Sequence, residues 1–391
     1  MNDIKYKEDF YDLGIYPKRD VIIVEGKGAV VKDNKGNEYI DCVSGHGVAN
    51  IGHSNEDISH ALCSQAKKLI TCPGVFYNDI RAMLMEKLIS IVPSYLSRVF
   101  LCNSGSESVE AALKFARLSS GKKEFICAMR GFHGRTMGAL SATHSHKYKK
   151  DFLPLVSGFH FVPFNDINRI KEKINENTAG ILLELIQGEG GVIIGRKSYI
   201  KEVHNLCKNN DIYLIIDEVQ TGFCRTGRMF AIEHYNIQPD IMCLAKAMGG
   251  GIPIGAVLCS HKIRIPSGKH GSTFGGNPLA CASALSAINF MIDKDLAHQS
   301  AVKGAYLLKR LREIESNKIR QVRGLGLMLG IELKEKVKPY ILKLITNGLL
   351  TLPAGTTVLR LLPPLVVKDN QLDMIIAKIK NVLDSKEMYF S

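Results

Sequence analysis

Between about residues 56 and 280, short apolar runs recur at intervals filled by segments of helical period, and this alternation constrains the fold more than any other feature. The runs lie at 98–101, 124–128, 159–162, 180–184, 212–217, 241–244 and 256–259. Near-continuous apolar strands separated by helices predict an α/β domain whose sheet is largely parallel and covered by helices on its faces. Ahead of it, residues 21–43 predict a hairpin, with Asp33-Asn34-Lys35-Gly36 as the turn between two β-rich runs. Behind it, helices are expected over 278–292 and 297–315, then the run RGLGLMLGIEL, a strand pair within 349–361 and a last helix over 371–383. The expected organisation is a large domain over 56–280 with a smaller α+β domain made from 1–55 and 281–391.

Composition enters where function classes must be excluded. With 46% hydrophobic and 23% charged residues, neither wholesale disorder nor a fibrous repeat is expected. Lys and Arg total 51 against 38 Asp and Glu, a formal net charge of +13. Such an excess admits nucleic acid, an anionic membrane or an acidic protein as partner. No apolar run approaches the roughly 18–20 residues of a membrane span, and the N-terminal segment mixes acids and bases without the apolar centre of a secretory signal. There is no separate helix-turn-helix segment, and basic residues cluster only in short groups such as 146–150. Neither nucleic acid nor membrane is therefore expected as partner. The 10 cysteines stand singly, with no CxxC pair, which predicts buried reduced thiols in a cytoplasmic protein, with no metal site and no disulfide framework.

Three segments carry chemistry. In FLCNSGSESVE an apolar run ends in Asn103-Ser104-Gly105-Ser106 before a helical pattern, and Ser104 with Glu107 has capping-box spacing. A helix start rich in Gly and hydroxyls suits a phosphate, though it also suits plain capping. In YLIIDEVQTG an apolar run delivers Asp217 to a strand's carboxyl end, where ligands of open α/β sheets bind; such an acid can hold a metal, a ribose or a cofactor ring. In IMCLAKAMGGG, Lys246 follows an apolar run and precedes Met248 and three glycines. Desolvation there would depress its pKa and leave a nucleophilic amine. A phosphate cup, an acid and a desolvated lysine, in that order, together match the needs of pyridoxal phosphate.

Across roughly residues 20–370 the chain resembles the class III aminotransferases of fold type I, close to the acetylornithine aminotransferases and the branch that acts on amino acids linked to a carrier protein. The segments carrying the resemblance are NSGSESVEAALKFAR, GFHGRTMGALSAT, IQGEGGV, LIIDEVQTGFCRTG, LAKAMGGGIPIGA, HGSTFGGNPLA and RGLGLMLGIEL. It implies that Lys246 binds the cofactor's aldehyde carbon and shuttles the substrate proton, and that Asp217 holds the pyridinium nitrogen protonated. Phe132 would stack on the ring, Gln220 would reach the phenolic oxygen, and Ser104, Gly105 and Ser106 would cup the phosphate. Thr273 would reach the phosphate of a neighbouring subunit, so a homodimer is implied. Arg135 would take the substrate α-carboxylate. Arg360 would receive a carboxylate of glutamate, with Glu189 pairing to Arg360 when an ω-amine is bound and moving aside for glutamate.

The implied activity is amino-group exchange between glutamate/2-oxoglutarate and the ω-semialdehyde of an N-blocked amino acid. The ω-amino substrate would be N-acetylornithine, or lysine or ornithine carried on a small acidic amino-group carrier protein. Ornithine and 4-aminobutyrate aminotransferases share the motifs. A pyridoxal-phosphate-binding regulator is the alternative of another class. Departures are local: Leu185 follows Glu184 where the family usually has Pro, and Cys224 stands where Gly is usual. His46 replaces a usual Ile or Leu, a tilt towards the carrier-linked branch, and His133 reads as structural rather than as a base.

Overall fold

The structure is a computed structural model that describes residues 3–385. Its centre is a seven-stranded sheet in the order Leu96–Cys102, Gly255–Ser260, Ile241–Leu244, Tyr213–Asp217, Thr178–Glu184, Glu124–Ala128, Phe159–Val162. Each of the seven apolar runs is a strand. Only Gly255–Ser260 runs antiparallel to its neighbours; the pairs through Tyr213–Asp217, Thr178–Glu184 and Glu124–Ala128 are parallel. Thr178–Glu184 and Ile241–Leu244 are buried at every position, as strands covered by helices on both faces must be. Tyr213–Asp217 and Thr178–Glu184 run in register, so Asp217 and Glu184 end neighbouring strands side by side.

Two smaller sheets flank this core. One pairs Ile23–Lys27, Val30–Asp33, Glu38–Asp41 and Leu349–Leu350; the other pairs Ile319–Leu325, Met328–Leu333, Val358–Leu361 and Leu352–Ala354. The hairpin turn at 33–37 forms because Asp33 Oδ1 accepts from the amides of Lys35 and Asn37, both at 2.9 Å, while Gly36 takes a φ of +85°. The strand pair expected within 349–361 is instead three strands. Leu349–Leu350 leaves the other two and lies parallel to Glu38–Asp41, tying the N-terminal hairpin to the C-terminal region.

Helix ends follow their caps. Gly105–Ser120 is capped by Ser104 and stopped by Gly121 at φ +75°. Pro278–Asp293 opens with Pro in its first turn under an Asn277 cap, and it runs unbroken through residue 280. Leu296–Arg312 stops short of the expected residue 315. A helix at Asp3–Tyr11 lies ahead of the predicted elements, with Tyr6, Phe10 and Tyr11 exposed. The cysteines are free, but Cys63 is exposed and Cys72 half-buried, so burial holds for the other eight only. Among the described residues no helix is long and apolar enough to cross a membrane.

Candidate active site

The carboxyl ends of the two parallel strands that close on Asp217 and Glu184 form the floor of the site. Asp217 is 5% exposed, and its Oδ2 meets His133 Nδ1 at 2.8 Å while its Oδ1 accepts from the Val219 amide at 3.0 Å. Burial by itself would depress the His133 imidazole, but the hydrogen bond and charge of Asp217, aided by Glu184, outweigh it and raise its pKa. The His133 ring therefore shares its proton with Asp217 and fixes the carboxylate's orientation. His133 Nε2 is buried without a hydrogen bond.

Lys246 follows the strand Ile241–Leu244 and adopts a φ of +48°, a left-handed conformation uncommon outside glycine. Strain of this kind persists where the surroundings over-determine the backbone, as they do in functional sites. Burial lowers the Lys246 pKa, Arg360 lowers it further, and the charges of Asp217, Glu189 and Glu184 pull the other way. The charges of Arg360, Asp217, Glu189 and Glu184 therefore all act on the buried Lys246 amine. The depressed pKa leaves more of the amine neutral near pH 7, as nucleophilic and proton-transfer roles require.

Opposite the carboxylates stands the start of Gly105–Ser120. Ser104 Oγ accepts from the Glu107 amide at 3.2 Å, as the capping spacing predicts. The reciprocal bond is displaced: Glu107 Oε2 accepts from the Asn103 amide at 2.8 Å and from Asn103 Nδ2 at 2.9 Å, rather than from Ser104. Asn103 Nδ2 also donates to Ser272 Oγ, which draws it and the carboxylate together one residue upstream. A Cβ at Gly105 would lie 2.7 Å from Val219 Cγ1, so the backbone comes close to the Asp217 turn only because it has no side chain. Ser106 Oγ accepts from the Arg135 amide at 3.0 Å. Gly134, at φ +137°, leaves room for that hydroxyl, since a Cβ there would fall 2.3 Å from it.

Phe132 is half-buried beside this cup. The exposed Arg135 guanidinium lies 3.9 Å from the centre of the Tyr148 ring and 5.7 Å from that of Phe132. Tyr148 meets Phe132 edge-on at 5.9 Å, so one aromatic pair supports the arginine.

Arg360, in the strand Val358–Leu361 of a flanking sheet, is fully buried and reaches across to the large sheet's loops. Its Nη2 lies 2.7 Å from Glu189 Oε1 and its Nη1 donates to Gln220 Oε1 at 3.2 Å. Arg360 Nε makes no hydrogen bond, and Nη2 meets Glu189 as an ion pair without hydrogen-bond alignment. A buried guanidinium left this incompletely satisfied is suited to a further anionic ligand. Desolvation lowers the pKa of His46, and the charge of Arg360 lowers it further. Thr273 is exposed, and its neighbour Ser272 accepts from Asn103 Nδ2 at 3.1 Å.

These residues fit pyridoxal phosphate: backbone amides of Gly105 and Ser106 at a helix start for the phosphate, Phe132 for a ring face, Asp217 for the ring nitrogen and the desolvated Lys246 for the aldehyde carbon. Two participants are missed by sequence reasoning. His133 gives no local sign that it meets a residue 84 positions away. Glu184, visible only as the end of an apolar run, is buried with its carboxylate turned towards Phe132 and Gly188.

Comparison with known proteins gives matches over nearly the whole chain. The family model described as aminotransferase class-III matches residues 15–383. A [LysW]-aminoadipate semialdehyde transaminase of Deinococcus radiodurans is 45% identical over 383 residues, covering 97% of this chain and 89% of that protein. An acetylornithine aminotransferase of Methanosarcina acetivorans is 44% identical, over 95% and 93% of the two chains. Among solved structures, an ornithine aminotransferase of Toxoplasma gondii, with PLP partially occupying its active site, superposes with a TM-score of 0.94 at 34% identity, over 98% and 94% of the chains.

Proposed function

Because the chain belongs to the class-III aminotransferases, enzymes that use pyridoxal phosphate, we propose that it moves an amino group between glutamate/2-oxoglutarate and the ω-semialdehyde of an amino acid blocked on its α-nitrogen. The observation that carries this reading is the contact of the buried Arg360 with Glu189 at 2.7 Å. A buried arginine paired with a partly exposed carboxylate can serve two substrates if the carboxylate swings away. With Glu189 on it, Arg360 offers no net charge to the chain of an ω-amine. With Glu189 withdrawn, it takes a carboxylate of glutamate.

When bound, pyridoxal phosphate supplies an electron sink for the negative charge that develops at the reacting carbon. The chain's own groups do the rest. Amides at Gly105 and Ser106, with the dipole of the helix start, would hold the phosphate; Phe132 would cover the ring; and Asp217, which meets His133, would hold the ring nitrogen's proton. Gln220 spends its oxygen on Arg360, which leaves its amide nitrogen to donate to the phenolic oxygen. Lys246 Nζ would take up the proton from the substrate's amine-bearing carbon and give it back at the carbon on the far side of the amine nitrogen. Arg135, held against Tyr148, binds the α-carboxylate of the ω-amine substrate.

The gate is tested by Glu189→Ala. We expect the ω-amine half-reaction to fall by about tenfold or more, equivalent to about 1.4 kcal/mol, while the glutamate half-reaction is maintained or accelerated. Stopped-flow bleaching of the bound cofactor with each donor separately reads the two. An equal loss in both removes the gate.

The N-blocked substrate is supported by the names of the Deinococcus and Methanosarcina relatives. A half-reaction screen with acetylornithine, ornithine, 4-aminobutyrate and carrier-linked lysine assigns it. The charge of +13 supports delivery on an acidic carrier. In that case KM for the carrier-linked substrate rises with ionic strength while KM for acetylornithine stays nearly constant, since screening acts on the long-range field. A parallel response of the two substrates rejects carrier steering. A homodimer is supported by the exposed Thr273 beside Phe274, 62% exposed, and by Val75, Phe76 and Tyr77, also solvent-exposed in the single chain.

A further inference from the structure

The loop that carries the ring-covering Phe132 and the loop that carries Glu189 come from different crossovers of the large sheet, yet they meet over one side chain. Glu184 ends the strand Thr178–Glu184, 7% exposed. Its Oε2 accepts from the Phe132 amide at 3.0 Å and its Oε1 accepts from the Gly188 amide at 3.2 Å, one residue before Glu189. The two oxygens of one carboxylate therefore each hold a different loop. Glycine makes the close approach at both ends feasible. A Cβ at Gly188 would fall 2.1 Å from Gln220 Oε1, the atom that accepts from Arg360. A Cβ at Gly131 would fall 3.0 Å from the Ala128 carbonyl oxygen and 3.2 Å from His133 Nε2. A second tie, from Gln187 Nε2 to the Met129 carbonyl oxygen at 2.8 Å, joins the same loops further from Phe132.

We propose that Glu184 is a positioning residue that couples the two halves of the site, clipping the ring-covering turn at Phe132 to the gate loop at Glu189 through its two carboxylate oxygens. Resting on the aminotransferase reading, this adds a group that acts through Phe132 and Glu189. The arrangement suits a carboxylate at this buried position. Ionised, it accepts from two amides at once, whereas a carboxamide must set its NH2 against one of the two donors, a repulsion that displaces the whole group from both. Burial pushes the Glu184 carboxyl up to about 7, the charge of His133 and the two amide donors pull it down, and Asp217 adds to the rise.

The test uses the full-length protein with cofactor bound, comparing wild type with Glu184→Gln and Glu189→Ala by amide hydrogen exchange. In Glu184→Gln the segments 129–136 and 186–192 should both exchange about tenfold faster or more, while 319–333 stays at the wild-type rate. The visible circular dichroism of the bound cofactor should weaken, and KM should rise for both amino donors with the larger change for the ω-amine. Glu189→Ala should leave 129–136 and the dichroism unchanged. Faster exchange in one segment alone, in neither, or throughout the chain overturns the clip. Should Glu184→Gln fail to fold, Glu184→Asp decides: its shorter reach keeps one amide, so one segment stays protected, and protection of both rejects the proposal. The wild type's exchange of amino groups with glutamate is measured alongside. If wild type transaminates and the two segments do not loosen together, the clip fails by itself; if wild type does not transaminate, the functional reading fails whatever the exchange rates show.

Discussion

Lys246→Ala is expected to slow both half-reactions by roughly 10²–10⁴-fold, the range that a positioned acid–base group contributes, while the cofactor still binds through the remaining contacts. The expectation follows from the placement of the amine. It is buried, its pKa is lowered by desolvation and by Arg360, and it follows the strand next to the one that ends in Asp217. Single-turnover bleaching with glutamate measures the loss, and a small added amine should restore part of it. Borohydride treatment should add the cofactor's mass to the wild type and not to the variant. Mass addition in Lys246→Ala would place the covalent lysine elsewhere.

Asp217→Asn should cost roughly 10²–10³-fold in turnover, the loss seen when one preorganised electrostatic group is removed from a buried site. The substitution keeps shape and size but removes the charge that faces the ring nitrogen and His133. It carries a second, independent readout. His133 is raised only because the bond and charge of Asp217, helped by Glu184, exceed its desolvation, so in the variant its pKa should fall below the wild-type value. A proton titration of the imidazole by NMR reads this without turnover. The sign for stability is set by the same shift. A histidine raised on folding contributes stability that is complete below its unfolded pKa, about 6.5, and that is lost as pH rises through the folded value. Wild type should therefore gain stability from this pair on the acidic side of that window, and Asp217→Asn should not. An unchanged His133 titration would remove Asp217 as its partner.

Much of this was legible in the chain because the signals are local and periodic. The strand ending in Asp217, the helix start at Ser104 and the lysine after 241–244 each depend on residues within a dozen positions of one another, and the structure keeps all three. The helix Asp3–Tyr11 was not legible because it buries no face; every side chain described in it is exposed, so it leaves no apolar stripe to read. The two-residue strand Leu349–Leu350 was read with its neighbours because two residues carry no period, and its partner lies at Ile40–Asp41.

By itself the sequence determined the large sheet, the cofactor-class chemistry and the family, since strand alternation, helix caps and motif spacing are properties of short segments. Tertiary structure alone decided what each charge faces. Arg360 could have been a rim residue and is instead fully buried against Glu189; Glu184 could have been the solvated end of a strand and instead holds two loops; His133 proves to be the partner of Asp217. Burial and the meeting of distant side chains depend on how crossovers stack on the sheet, and charge acts through space rather than along the chain. A residue's type is written in the sequence; its dielectric surroundings and its partner arise only when the chain closes.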